Sequence, residues 1–207
     1  MIIVHHLANS RSQRVLWLLE ELGLGYEVRR YERDSKTMLA PPELKRVHPL
    51  GKAPLIEDDG LVIAETGAIV EYLVERSDGK LGPPGKREAV LRYRQFIHYA
   101  EGSMMPPLFA LLVINRMGLL GKPARGPVQR MLDVHLDWLE SELAGRDWFA
   151  GDDFTAADIM MSFPLEASRS RGGLDASRPN LIDWLERIHA RPPYGEALAR
   201  GGPYAFA

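Results

Sequence analysis

The 207 residues include no cysteine. That absence excludes a disulfide framework, a thiolate metal site and a cysteine nucleophile together, and it is compatible with a cytoplasmic setting. Charge of one sign is also lacking. Lys and Arg number 26 against 28 Asp and Glu, for a net charge of −2, so neither a nucleic acid nor an anionic membrane is an expected partner. Long apolar runs are missing as well. The longest uncharged stretch, Gly102 to Asn115, contains Pro106-Pro107 and is too short to span a bilayer. The start, Met1-Ile2-Ile3-Val4-His5-His6, lacks the basic region and long apolar core of a secretion signal. No internal repeat is visible, and no strong strand signal follows Lys86. His5 and His6 are neighbours on a strand and point to opposite faces, so they do not form a shared metal site and no metal is expected.

What is present is a hydrophobic content of 45%, enough to supply a core for one large or two small domains. Ile2 to Leu7 reads as a buried strand. Asn9-Ser10-Arg11-Ser12 follows, rich in residues that cap helices. Val15, Leu16, Leu18, Leu19 and Leu22 then mark a helical face that Gly23 and Gly25 end. Tyr26 to Tyr31 reads as a second strand, which makes a βαβ unit with a right-handed crossover. Arg29, Arg30 and Arg33 read as a solvated face, and Pro41-Pro42 opens a short helix.

The most informative stretch runs from His48 to Leu73. Leu55-Ile56 and Leu61 to Ala64 are short apolar runs separated by Asp58-Asp59-Gly60, a hairpin signal. After Ala64 the period changes: Ile69 and Leu73, Val70 and Val74 share a helical face. Glu65 and Thr66 therefore sit where a strand hands over to a helix. There the first backbone N–H groups are unpaired and the dipole is positive, which suits a carboxylate ligand. By itself Glu65-Thr66 is also an ordinary acidic helix start, and Lys52 alone an ordinary solvated lysine. Gly82-Pro83-Pro84-Gly85 reads as a linker. Beyond it, helices are expected around Val90 to Glu101, Leu108 to Met117, Val128 to Leu143, Thr155 to Ala167 and Asn180 to Arg191, with a loop from Gly118 to Pro127 and an irregular tail after Pro192-Pro193. Thr155 and Asp158 form a capping pair, with Asp158 where the usual box carries Glu or Gln. Met104, Met105, Met160 and Met161 read as core.

Four pieces in this order resemble the cytosolic glutathione transferases: Asn9-Ser10-Arg11-Ser12 with Arg14-Val15-Leu16, then Lys52-Ala53-Pro54-Leu55-Ile56, then Glu65-Thr66-Gly67-Ala68-Ile69, and finally Phe154-Thr155-Ala156-Ala157-Asp158-Ile159. The likeness covers nearly the whole chain and looks nearest to the serine-type, theta-like bacterial and fungal branch. It implies an α/β thioredoxin-like domain, βαβαββα, over residues 1–80, a linker over 81–87 and an all-helical domain over 88–207. It implies a cis bond before Pro54, the backbone of Ala53 pairing with the cysteinyl part of glutathione, Glu65 and Thr66 holding the γ-glutamyl end, and Lys52 near the glycyl carboxylate. It also implies a homodimer in the cytoplasm, with glutathione as co-substrate.

For the thiol, the resemblance implies a side chain near the end of the first strand that donates a hydrogen bond. Ser10 is the first candidate and Asn9 the second, with Ser12 beside them; Ser10 and Ser12 as plain helix caps is the competing reading. A free thiol with a pKa of about 8.5 is roughly 3% thiolate at neutral pH. Lowering the pKa by about two units raises that roughly 25-fold. With a slope of about 0.45, nucleophilicity falls roughly 8-fold, leaving a net gain of about threefold. Most of the rate enhancement must then come from holding thiolate and electrophile together. Tyr99, Met105, Phe109 and Val113, with Met104, are the candidates for an apolar electrophile pocket. The expected activity is transfer of glutathione to small hydrophobic electrophiles, in the manner of detoxification, with glutathione-dependent peroxidase activity beside it. Glutathione-dependent disulfide reduction and a non-catalytic ligand-binding or adaptor role are the alternatives.

Overall fold

The structure, a computed structural model, describes residues 1–206. By contacts the described chain divides into two compact units: Met1–Gly82 with His189–Ala205, and Pro83–Ile188 with Phe206.

The first unit is built on a four-stranded sheet in the order β2-β1-β3-β4. Strand β1 (Ile2–Leu7) pairs parallel with β2 (Tyr26–Tyr31) and antiparallel with β3 (Leu55–Asp58), which forms a hairpin with β4 (Leu61–Ala64). The hairpin turn places Asp59 at φ 48° and Gly60 at φ 82°. These two left-handed residues match the right-handed twist of the strands they join, as the acidic-Gly signal predicts. Val4 pairs with Ile56 and Ile56 with Ile63, so one register sets an apolar row across three strands. Helix α1 (Ser12–Leu22) buries Val15, Leu16, Leu18 and Leu19 completely and is closed by Gly23 at φ 71°. Helices α2 (Leu44–Val47) and α3 (Thr66–Arg76) complete the expected βαβαββα order. Side-chain alternation along β1 sends the two histidines apart. On one face, His5 Nε2 lies 2.7 Å from Glu57 and Nδ1 2.8 Å from the Tyr31 hydroxyl. On the other, His6 Nδ1 lies 2.9 Å from Ser12 Oγ on α1.

A further helix, α9 (Pro192–Gly201), belongs to this unit by its packing. The residues after Pro192-Pro193 are therefore helical and not an irregular tail. The two prolines stand at the first turn, where a missing N–H removes no helical bond. Tyr194 packs edge-on against Trp17 with ring centroids 5.2 Å apart. Arg191 grips the Glu21 carboxylate at 2.5 and 2.8 Å, and Arg200 pairs with Glu20 at 2.8 Å. Arg30 donates to the carbonyls of Ala199 and Arg200, placing a cation at the negative end of α9. A Cβ on Gly201 would lie 2.5 Å from Gln13 Oε1 and 3.0 Å from Leu16 Cδ1, so the helix ends on a residue that has none.

The second unit is helical. Helix α4 (Arg87–Tyr99), a π-helical turn (Ala100–Met104) and α5 (Met105–Arg116) form one unbroken run. By length and composition this run is long and apolar enough to cross a membrane, which the break expected at Pro106-Pro107 had argued against. It buries Phe96, Met104, Leu108 and Leu111 inside the unit and leaves Leu91, Phe109 and Val113 exposed. Helix α6 (Lys122–Glu142) starts earlier than expected: Pro123 lies in its first turn, and Pro127 is accommodated inside it. Its core stripe is Leu132, Leu136 and Leu139, while Met131 is exposed. Helix α7 (Ala156–Ala167) opens with the expected box. Asp158 accepts from the backbone N–H of Phe149 and of Thr155, each at 3.0 Å, and from the Trp184 ring at 3.4 Å. Burial pushes its carboxyl up to about 6 against the pull of those donors. Helix α8 (Pro179–His189) buries Leu181, Trp184, Leu185 and Ile188.

Candidate functional site

Strand register brings the predicted residues together. Leu55 faces Ala64 across the hairpin, so Lys52-Ala53-Pro54 and Glu65-Thr66 leave the sheet at the same end. His5 faces Leu55 in the antiparallel pair, so β1 runs toward that end too and delivers Asn9 and Ser10 there. Three chain segments far apart in sequence thus converge beyond one end of the sheet.

Glu65 is exposed and stands at φ 69°, ψ 123°. That conformation is strained for a residue with a Cβ, at about 1–3 kcal/mol. Glu65 occupies the N-cap of α3, yet no side chain caps the helix. The Ile69 N–H reaches the Glu65 carbonyl, leaving the N–H groups of Thr66, Gly67 and Ala68 without helical acceptors. The Thr66 hydroxyl makes no hydrogen bond among the described residues. The result is a helix start with three free donors, a positive dipole end, a free hydroxyl and an adjacent carboxylate. It can take a carboxylate and an ammonium side by side. Across the hairpin mouth the Ala53–Pro54 peptide is cis, in accord with the resemblance. Lys52 is exposed and makes no ion pair among the described residues.

At the β1–α1 turn, Asn9 has φ 52°, and its Oδ1 accepts from the Ala205 N–H at 2.7 Å. Arg33 braces the turn, donating through Nε to the Ala8 carbonyl at 3.0 Å and through Nη2 to the Asn9 carbonyl at 3.2 Å. Arg33 therefore has a structural task that the solvated-face reading of the arginines missed. The sequence held no signal for it, because the carbonyls it reaches are exposed only by the turn. Ser10 is buried, with its Oγ 2.7 Å from Ser12 Oγ and accepting from the Ser12 N–H at 3.2 Å. Ser12 Oγ also accepts from the Leu7 N–H at 3.2 Å. Burial, then the nearby Arg30 charge, lowers the pKa of His6 to about 4, against a backbone hydrogen bond to Gly201 that raises it. His6 is thus neutral at pH 7.

In the helical unit, Met105, Phe109 and Val113 recur every fourth residue along one stripe of α5. Phe109 and Val113 are exposed, while Met105 is buried. Tyr99 faces elsewhere: its hydroxyl lies 2.6 Å from His135 Nδ1, and its ring packs on Phe96 and Trp138. Burial raises the Tyr99 pKa further above its already basic value. Met104 is fully buried. Among the described residues no group of three His, Asp or Glu could hold a metal ion.

Comparison with known proteins bears on this geometry. Residues 1–75 match the family model for the glutathione S-transferase N-terminal domain, and residues 123–187 match that for the C-terminal domain. Glutathione S-transferase 3 of Schizosaccharomyces pombe is 34% identical, the match covering 93% of this chain and 84% of that one. Glutathione S-transferase 1 of Saccharomyces cerevisiae is 31% identical over 94% of this chain and 92% of its own. The chain belongs to the glutathione S-transferase family. A crystal structure of a glutathione S-transferase from Actinobacillus pleuropneumoniae has a TM-score of 0.89 at 35% identity, covering 100% of this chain and 95% of that one. The family fold, a thioredoxin-like sheet domain plus a helical domain, is the fold described above.

Proposed function

We propose that this glutathione S-transferase family member binds glutathione at the converging end of the sheet, stabilises its thiolate and transfers it to small hydrophobic electrophiles. The single observation that carries this is the start of α3: a strained residue, Glu65, beside an uncapped helix whose first three N–H groups and Thr66 hydroxyl have no partner among the described residues. Backbone strain held next to unsatisfied donors makes sense where a ligand completes the set. Thr66 and the free N–H groups take the γ-glutamyl carboxylate, Glu65 its ammonium, and Lys52 the glycyl carboxylate, while the Ala53 backbone pairs with the cysteinyl residue. The Asn9-Ser10 turn supplies the sulfur's hydrogen-bond donor, and the exposed Phe109 and Val113 are the proposed apolar wall for the electrophile, without Tyr99, which is engaged with His135, Phe96 and Trp138. We propose a cytoplasmic homodimer as the working form.

Glutathione affinity and a panel of electrophiles test this. Retention on immobilised glutathione, with turnover of an activated aryl halide exceeding that of a hydroperoxide or a small disulfide, is the expected result. Peroxide reduction would use the same thiolate. Retention without turnover of any of the three would leave a ligand-binding protein, and no retention would overturn the site.

A further inference from the structure

The net charge of −2 averages over an uneven chain. Between Glu101 and Asp133 there is no Asp or Glu, while Arg116, Lys122, Arg125 and Arg130 all fall there. The helical unit gathers these four cations around one turn. Arg116 ends α5, and Lys122 and Arg125 lie in the first turn of α6. Arg130 stands farther along α6 but reaches back toward its start, since a Cβ on Gly126 would lie 3.6 Å from the Arg130 Nη1. All four side chains are exposed. Arg125 donates to the neutral Asn115 side chain, and none of the four makes an ion pair among the described residues.

A short 3₁₀ turn, Gly118–Gly121, joins the two helices between those cations. Gly118 takes φ 59°, and Gly121 is pressed so closely on α5 that a Cβ would lie 2.2 Å from the Ile114 carbonyl oxygen. The glycines turn the chain and close it on α5, and the two residues between them point outward. Leu119 is 76% and Leu120 82% exposed, with Met117 beside them at 50%. Leu120 is the most exposed large apolar side chain described. Single-stranded nucleic acid is held by aromatic faces on which bases stack, and the one aromatic residue between Glu101 and Asp133 is Phe109, two helical turns before Arg116. A lipid surface fits both features: apolar side chains enter the boundary between headgroups and acyl chains, and cations face anionic headgroups. We propose that the Gly118–Gly121 tip is a peripheral docking site for an anionic lipid surface. Leu119 and Leu120 enter the bilayer boundary, and Arg116, Lys122, Arg125 and Arg130 hold the headgroups. Two leucines and four cations make a reversible attachment, not a permanent anchor.

Cosedimentation of the full chain with sucrose-loaded vesicles tests this, comparing pure phosphatidylcholine with phosphatidylcholine enriched in phosphatidylserine. Each basic residue near an anionic surface strengthens binding about fivefold, so the enriched vesicles should bind at least about 100-fold more tightly than the neutral ones at about 0.1 M salt. Salt at about 1 M should remove most of that difference. Lys122→Gln with Arg130→Gln should weaken binding to the enriched vesicles about 25-fold. Leu119→Ser with Leu120→Ser, which keeps every charge, should weaken it about 10-fold or more. Lys36→Gln with Arg46→Gln, exposed cations outside the helical unit, should change it less than about twofold. Equal binding to the two kinds of vesicle, binding to neither, or undiminished binding by the leucine variant overturns the lipid assignment. A lower sedimenting mass of the leucine variant in the absence of vesicles would make the tip a contact between copies of the chain, and would overturn it as well.

Discussion

Glu65 shows most plainly what one residue contributes. The sequence placed it at the junction of strand and helix, but not in a positive-φ conformation, because only the closed hairpin and the start of α3 together impose that angle. Glu65→Gly tests whether the strain serves a ligand. The variant relaxes the backbone, so its stability to denaturant should equal or exceed that of the wild type, while glutathione binding weakens by about 1.5–3 kcal/mol. Calorimetry and urea unfolding check the two halves; a loss of stability with binding intact would contradict both. His6 gives a second prediction. Its folded pKa of about 4 lies below the ordinary value of 6.5, so the unfolded chain binds the proton more tightly. Its contribution is fully present above about pH 6.5 and lost as pH falls toward 4, by about 3 kcal/mol in all. His6→Asn keeps an acceptor for Ser12 and removes the titration. Comparing urea unfolding of the two proteins at pH 7 and pH 4 should show the variant losing less, and equal losses would refute the assignment. Arg33 and Asn9 mark the limit of sequence reading at this scale, since each acts on a group supplied by a distant segment.

Elements were legible where hydrophobic period and turn chemistry agreed. Strand β1, helix α1 with its Gly23 stop, strand β2 and the Asp59-Gly60 hairpin all follow from local pattern. The errors cluster at prolines. Pro123 and Pro127 read as loop but lie in the first turns of α6, and Pro192-Pro193 read as an end but open α9. A proline at a helix start gives the same sequence signal as one after a helix end, and only tertiary packing separates them. For α9 that packing has a specific point of closest approach, Gly201 against Gln13 and Leu16. Gly201→Ala should therefore destabilise the protein by about 1–3 kcal/mol, the usual penalty of overpacking. Thermal unfolding measures it, and an unchanged melting temperature would mean that α9 is held less closely than the geometry indicates.

At the scale of the whole molecule, the family likeness covers almost the entire chain, so both the sheet unit and the helical unit were foreseeable. The return of α9 to the first unit was not, because nothing local in a ten-residue helix names the helix it will pack against. The proposed homodimer predicts a sedimenting species of twice the 23.3 kDa chain mass at micromolar concentration, and a species of single mass would refute it. The account as a whole depends on a tripeptide held at both charged ends by the start of α3 and the Lys52 loop. A crystal structure of the protein saturated with glutathione tests this most directly. The account predicts the γ-glutamyl carboxylate within hydrogen-bond distance of the Thr66 N–H and hydroxyl, with the sulfur beside the Asn9-Ser10 turn. Glutathione bound elsewhere, or a start of α3 left empty at saturation, would contradict it.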